Sequence, residues 1–301
     1  MFLRQLTYLI ALDQYRHFSR AADHCGVSQP ALSAAIRQLE HELGVTIVRR
    51  NRRMFGLTPE GERVLAWARQ TVADLNSLRQ EAEFAHDIAG GSISLGVMPP
   101  AIQVVPLLLE SLRAAIPALH VEVTVFASGD ILRDLREHQL QIGIMYLDQV
   151  PAESVFETRE LYAEQHVLAA AGGVALPGRG SCGWAEVASV PLCLLSRSMR
   201  SRQIVDACFR EAGVSPTVML ETNALELVHA EVLSGRLATI LPVAALPAAV
   251  PEGGPLQVRR LEPSPAPGVG LVRLKQTVAT ALMARAWEVV GGLSLTDTYR
   301  V

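Results

Sequence analysis

The sequence predicts an α/β protein in which a small helical head precedes a larger body of two α/β lobes. Three observations carry this. Apolar residues recur at helical spacing through roughly the first 87 positions. A glycine pair, Gly90-Gly91, then interrupts the pattern. Beyond it, short apolar runs alternate with helical segments. At 301 residues, half of them apolar, the chain is long enough for two or three domains.

In the head, Leu3, Leu6, Leu9 and Ile10 predict a helix over about 2–14 with one buried face. Ser19 is placed to cap a short helix over 20–24, and Gly26 supplies the turn that follows. Ser28 caps the next helix, to Leu43, with Gln29 and Pro30 in its first turn, where proline's missing N–H costs nothing. Two short helices meeting at a glycine-bearing turn read as a helix-turn-helix. In the second of them Leu32, Ala35, Ile36, Leu39 and Leu43 make one apolar stripe, while Ser33, Ala34, Arg37 and Gln38 face away and Gly44 ends the helix. That polar face is free to enter a groove.

The β-prone runs 45–48 and 54–57 flank an arginine-rich turn at 49–53, which reads as a hairpin wing along a phosphate backbone. Thr58-Pro59-Glu60 opens a long helix to about Asp87. Its stripe of Leu65, Ala68, Val72, Leu75 and Ala82 is long enough to pair with a second copy as a short coiled coil.

Charge separates head from body. The net charge is −3, yet residues 1–65 hold nine arginines against six carboxylates, so a basic head sits on an acidic body. No apolar run reaches the roughly 18 to 20 residues of a membrane span, and the start lacks the order of a signal peptide, so a cytoplasmic protein is expected. The four cysteines (Cys25, Cys182, Cys193 and Cys208) are far apart, which indicates neither a disulfide framework nor a zinc site, and no cofactor motif is present.

In the body, strands are expected at 93–97, 121–126, 142–146, 167–171, 192–195, 218–221, 237–241 and 268–273. Helices are expected near 100–115, 128–138, 199–212, 223–234 and 276–290. The order argues a mostly parallel sheet in which the chain builds one unit, then a second, then returns to finish the first. The expected domains are a winged helix-turn-helix at 1–58, a linker helix and hinge at 59–91, lobe I at 92–161 with 266–301, and lobe II at 162–265.

Phe18-Ser19-Arg20-Ala21-Ala22, Val27-Ser28-Gln29-Pro30-Ala31-Leu32-Ser33, Ile36-Arg37-Gln38-Leu39-Glu40 and Glu42-Leu43-Gly44-Val45 together closely resemble the DNA-binding head of LysR-type transcriptional regulators. Leu57-Thr58-Pro59-Glu60-Gly61 resembles that family's entry into its linker helix. The resemblance is dense over 1–65 and is one of architecture and short motifs beyond. It implies a dimerising linker, an effector domain like a periplasmic solute-binding protein, and a tetramer whose bending of its operator responds to a small molecule. The implied partners are duplex DNA, a small, anionic effector, further copies of the chain and RNA polymerase, with no membrane.

On this reading Ser28, Gln29, Pro30 and Ser33 sit where the reader helix meets base edges and phosphates, and Arg37 and Gln38 reach a flanking strand. Arg50, Arg52 and Arg53 contact phosphate from the wing. The sequence departs from the family at Ala34-Ala35, where many members carry a basic or polar pair.

Ligands of such lobes gather at the C-terminal ends of strands and the starts of helices. The first such place is Met98-Pro99-Pro100, where Pro100 replaces a hydroxyl common in relatives and part of the pocket becomes apolar. The second is Ser196, Arg197, Ser198, Arg200 and Arg202, a candidate grip on a carboxylate or phosphate. Ser128, Thr222 and Asn223 occupy corresponding strand ends, as caps and pocket wall.

Three other readings bear on the sequence. The glycines of 178–183 fit a dinucleotide fingerprint only as a string, because they fall in a Pro-Gly loop that reads as surface. A redox role for Cys182, Cys193 and Cys208 has precedent in a family member that senses peroxide through a cysteine pair, but Cys193 lies in an apolar run and reads as buried. A solute-binding protein without DNA affinity is the remaining alternative. No hydrolase elbow, metalloprotease motif or P-loop is present, so an enzyme is not expected.

Overall fold

The computed structural model describes residues 2–49, 56–85, 91–152, 155–247, 256–275, 278–296 and 298–299, with the backbone alone at 83–85. The chain forms two compact units, Met1–Ile88 and Ala89–Val301.

The first unit contains α1 (Leu3–Tyr15), α2 (Phe18–His24), α3 (Gln29–Leu43) and α4 (Pro59–Ala85). Leu6, Leu9 and Leu12 of α1 bury against Ala21 and Ala22 of α2 and Leu32, Ile36 and Leu39 of α3. The cap of α2 differs from expectation. His17 precedes the helix, and its Nδ1 accepts the Arg20 N–H at 3.5 Å, while Ser19 lies inside. Packing of Phe18 against the core draws the helix start forward. At α3, Ser28 Oγ accepts the Ala31 N–H at 3.3 Å, and Gly44 ends the helix at φ 67°.

Glu40, inside α3, holds the root of the wing, since its Oε1 accepts the N–H groups of Ile47 and Val48 at 2.9 and 3.0 Å. Val48 bridges Leu57 in antiparallel fashion, and Arg49 N–H meets Gly56 O at 2.9 Å. Thr58 caps α4 by accepting the Gly61 N–H at 2.9 Å. Leu65 and Ala68 of α4 are buried in the head's own core, so that part of the stripe expected to meet a second copy is already used within the chain.

The second unit contains β1 (Ser92–Val97), α5 (Val105–Ala115), β2 (His120–Val125), α6 (Ser128–Arg136), β3 (Ile142–Tyr146), β4 (Phe156–Ala163), β5 (His166–Ala171), β6 (Ser181–Gly183), α7 (Trp184–Val187) and β7 (Leu192–Leu195). It continues with α8 (Arg200–Glu211), β8 (Val218–Thr222), α9 (Leu225–Leu233), β9 (Thr239–Pro242), β10 (Leu256–Glu262), β11 (Gly268–Leu274) and α10 (Ala281–Gly291). One lobe holds a sheet ordered β2-β1-β3-β11-β4. The other holds β6-β10-β5-β9, with β7-β8 joined on through a parallel Leu192–Ala238 bridge.

Both sheets are mixed rather than mostly parallel. β1 lies parallel to β2 and β3, but β11 runs antiparallel to β3 and to β4, because β4 leaves the first lobe and β11 returns to it. The two crossovers touch where Glu164 N–H donates to Pro267 O at 2.9 Å. β4, β6 and β10 were not foreseen. β10 lies within the Pro-Gly-rich stretch and pairs antiparallel with β5. The glycines of 178–183 do not form a plain surface loop, since β6 pairs with β10 there and leads directly into α7. Residues 99–104 form a 3₁₀ turn before α5, and Pro106 in the first turn of α5 has no N–H to give the Ile102 carbonyl, so the α-helix does not begin earlier. The last helix starts at Ala281, where Thr280 caps it, later than the 276 expected.

Candidate functional site

Two surfaces bear on function, one in each unit. In the head, Ser28, Gln29, Pro30, Ala34, Arg37 and Gln38 are exposed and Ser33 is half-buried. The residues between them, Leu32, Ile36 and Leu39, are fully buried. The expected reading face is thus one continuous exposed strip on a helix fixed by its opposite side. Gln38 also donates to Glu42 at 3.0 Å, one turn on. Arg50, Arg52 and Arg53 of the wing lie outside the described residues.

In the second unit a cavity of about 320 Å³ lies where β1, β2 and β3 of one lobe end and where α8 and the end of β8 face them from the other. Met98, Pro99, Pro100, Ser128, Ser198, Arg200 and Asn223 line it, as the strand-end argument expected. Tyr146 and Gln149 line it too and were not expected, and so does Ser201, which lies inside the expected run 196–202.

Ser196, Arg197, Arg202 and Thr222 do not line this cavity. Arg202, 3% exposed, is held by Asp206 at 2.7 Å, Glu221 at 3.0 Å and the Leu195 carbonyl at 2.8 Å, so it anchors α8. Arg197 pairs with Glu221 at 3.3 Å. Ser196 and Thr222 shape their loops: Ser196 N–H donates to Thr222 O at 2.8 Å, and Thr222 Oγ1 accepts the Ala224 N–H at 3.1 Å. Of the three arginines expected to grip an anion, only Arg200 reaches the cavity. Its guanidinium meets Asp148 of the other lobe, with Nη2 and Nε at 2.5 and 3.1 Å from the same Oδ2.

Beneath the cavity lies a buried polar ring. Tyr146 donates to Glu164 and bonds Ser201, and Ser201 Oγ lies 3.0 Å from His166 Nε2. Burial pushes the Glu164 carboxyl up to about 8 and the His166 imidazole down to about 4, so both are neutral at pH 7. Serine, histidine and glutamate are triad residue types, but the geometry differs. Glu164 lies 3.8 Å from the same Nε2 that meets Ser201, and Nδ1 has no partner among the described residues. In a hydrolytic triad the acid orients the imidazole through the opposite nitrogen and carries the charge that stabilises imidazolium.

Burial raises the thiols of Cys182, Cys193 and Cys208, with Cys193 at about 11, the reverse of what a reactive thiolate needs. Among the described residues no group of three or more His, Cys, Asp or Glu is placed to hold a metal ion, and no helix is long and apolar enough to cross a membrane.

Residues 3–62 match the bacterial regulatory helix-turn-helix of the lysR family, and residues 86–293 match the LysR substrate binding domain. The chain belongs to the LysR family. Its relatives include the DNA-binding transcriptional dual regulator OxyR of Escherichia coli K12, 30% identical over 90% of this chain and 89% of that protein. A probable hydrogen peroxide-inducible genes activator of Streptomyces viridosporus is 32% identical over 95% of this chain and 90% of its own length. Among solved structures, a full-length OxyR variant from Pseudomonas aeruginosa aligns with TM-score 0.72 at 26% identity, covering 97% of this chain and 93% of that one. The LysR-family regulator CbnR has the same fold, with TM-score 0.67 at 22% identity, covering 96% of this chain and 98% of CbnR. Winged head and two-lobed effector domain are therefore the LysR arrangement, and the strip on α3 and the cavity between the lobes are its two surfaces of interest.

Proposed function

We propose that this LysR-family chain regulates transcription by binding operator DNA through α3 and the wing, under control of a small molecule held between the lobes. The observation that carries the reading is the pairing, in one chain, of an exposed polar strip on a fixed helix with a ligand-sized cavity. Gln29 and Ser33 read base edges, Arg37 meets phosphate beside them, and Arg50, Arg52 and Arg53 hold the backbone. The head spans 1–58, the linker 59–91, and the lobes the remainder, split at 161–162 and 265–266.

The protein works as a homo-oligomer, a dimer through α4 and a tetramer of two such dimers. Support comes from α4, where Trp67 and Leu78 are 74% and 66% exposed and share a helix face, a pattern that a second helix would cover. Promoter DNA as partner implies a cytoplasmic site of action and an encounter with RNA polymerase.

The names of its relatives raise a peroxide-responsive reading, but the buried, high-pKa thiols favour the small-molecule one. The deciding experiment is an electrophoretic shift with DNA upstream of the chain's own gene. Wild type is expected to prefer that DNA over random duplex and to lose affinity steeply with salt, and Arg50→Ala to bind more weakly. Equal binding to both duplexes would reject the proposal.

A further inference from the structure

Arg200 is the only charged side chain lining the interlobe cavity among the described residues. Its counter-ion, Asp148, stands outside the lining and comes from the other lobe. The pair is poorly matched. Both N–H groups converge on Oδ2 alone, so the fork of the guanidinium does not meet a fork of oxygens. Both side chains are also about a third exposed, at 32% and 38%, and exposed ion pairs hold weakly.

Two further features bear on the same space. The N-terminal turns of α6 and α8 both line it, with their positive ends. Gln149 also lines the cavity, and its Oε1 is closed off from solvent with no hydrogen-bond partner among the described residues, so a turn of the amide toward a donor in the cavity gives up no bond to that oxygen. Met98, Pro99, Pro100, Phe126 and Met199 give the wall an apolar stretch, and Ser128, Ser198 and Asn223 add uncharged polar groups beside it.

From these we infer that the effector is a small organic acid with a hydroxyl donor and an apolar body, and that its carboxylate takes Arg200 from Asp148. The carboxylate offers two oxygens to the guanidinium where Asp148 offers one. Its hydroxyl donates to Gln149, and its body lies on the methionines and prolines. The exchange removes a direct tie between the lobes and replaces it with one through the ligand. A binding signal is thereby converted into a changed contact between lobes. This inference rests on the cleft being the effector site.

The test uses the full chain and three sets of probes: lactate, propionate and lactamide; mandelate, phenylacetate and mandelamide; salicylate, benzoate and salicylamide. Calorimetric titration is expected to show, in at least one set, the hydroxy acid binding about tenfold tighter than both its amide and its deoxy acid. Asp148→Asn is expected to tighten the acid by about threefold, as the competitor loses its charge. Arg200→Gln should equalise acid and amide, and Gln149→Leu should equalise the hydroxy and deoxy acids. Amides that bind as well as their acids in every set that binds, an unchanged affinity in Asp148→Asn, or no acid bound by Asp148→Asn in any set would overturn the inference. Operator binding in the same samples separates the two readings. Acids bound without any DNA preference would reject the regulator and keep the acid site; DNA preference with only amides bound would do the reverse.

Discussion

Tyr146 donates its phenolic hydrogen to Glu164, and so the last residue of β3 grips the crossover that carries the chain from one lobe to the other. Both groups are buried, and Tyr146 is also one of the residues that line the cavity. The cleft floor and the interlobe connection are therefore a single hydrogen-bonded assembly.

Its pH dependence follows from two opposite shifts. Glu164 titrates near 8 in the fold against an ordinary 4.5, so the folded protein keeps a proton that the unfolded chain has lost, and stability declines as pH rises through that window. His166 titrates near 4 against 6.5, so its contribution is lost as pH falls from 6.5 toward 4. The two oppose each other between 4.5 and 6.5, and Glu164 acts alone from 6.5 to 8. Across that upper window wild type is expected to lose about 2 kcal/mol relative to Glu164→Gln. Urea titrations of both proteins at the two ends of the window check this, and parallel pH profiles would count against it.

Arg202 belongs to the fold and not to ligand recognition. Arg202→Ala leaves Asp206, Glu221 and the Leu195 carbonyl without their shared donor and is expected to cost about 3 kcal/mol in denaturant unfolding. Any ligand that still binds should keep its preference between charged and neutral forms, measured by calorimetry.

The entry to α4 is sensitive at two adjacent places. Thr58→Ala removes the cap and is expected to cost about 1 kcal/mol, with Thr58→Ser restoring most of it. A methyl at Gly61 would collide with the backbone carbonyl of Ile47, so Gly61→Ala should cost about 1–3 kcal/mol. Hydrogen exchange of the first turn of α4 reads both effects locally.

Operator recognition should divide by residue. Gln29→Ala is expected to lose about 1–3 kcal/mol on the operator and relax discrimination at one base pair. Arg37→Ala should weaken all duplexes alike and shallow the salt dependence by about one phosphate contact. Binding isotherms over a salt series, on operator and random DNA, distinguish the two patterns.

The thiols should be quiet. Cys182, Cys193 and Cys208 are buried, and burial raises each thiol. Alkylation of the native chain at pH 7 is expected to be slow at these three sites, and their triple replacement by serine to leave the peroxide response of DNA binding unchanged, that is, absent. A peroxide-dependent shift that disappears in the triple variant would reinstate the redox reading.

What could be read from the sequence was whatever depends on neighbours in the chain. The cap at Ser28, the stop at Gly44 and the stripe of Leu32, Ile36 and Leu39 are local signals, and they locate α3 closely. Strand ends and helix starts likewise pointed to Met98, Pro100, Ser128 and Arg200. Tyr146 ends β3 and Gln149 lies just beyond it, so the same rule covered them, but Tyr146 closes an apolar run and reads as core. Glu164 and His166 carry no local signal, since their partners are 18 and 35 residues away. Arg197, Arg200 and Arg202 look equivalent as a basic cluster; Asp148, far away in sequence, sets Arg200 apart, and Asp206, Glu221 and the Leu195 carbonyl together bury Arg202. β10 escaped notice because two charged residues in its middle, Arg259 and Arg260, hide the alternation.

The opening turn of α8 assigns three consecutive side chains to three different neighbours: Arg200 to the facing lobe, Ser201 to the buried ring, and Arg202 to its own lobe. A library meant to retarget this protein as a biosensor should therefore randomise Arg200 and Ser198 while keeping Ser201 and Arg202 constant. New specificities would then be sampled on an unaltered scaffold, where randomising the whole turn would mostly yield unfolded chains.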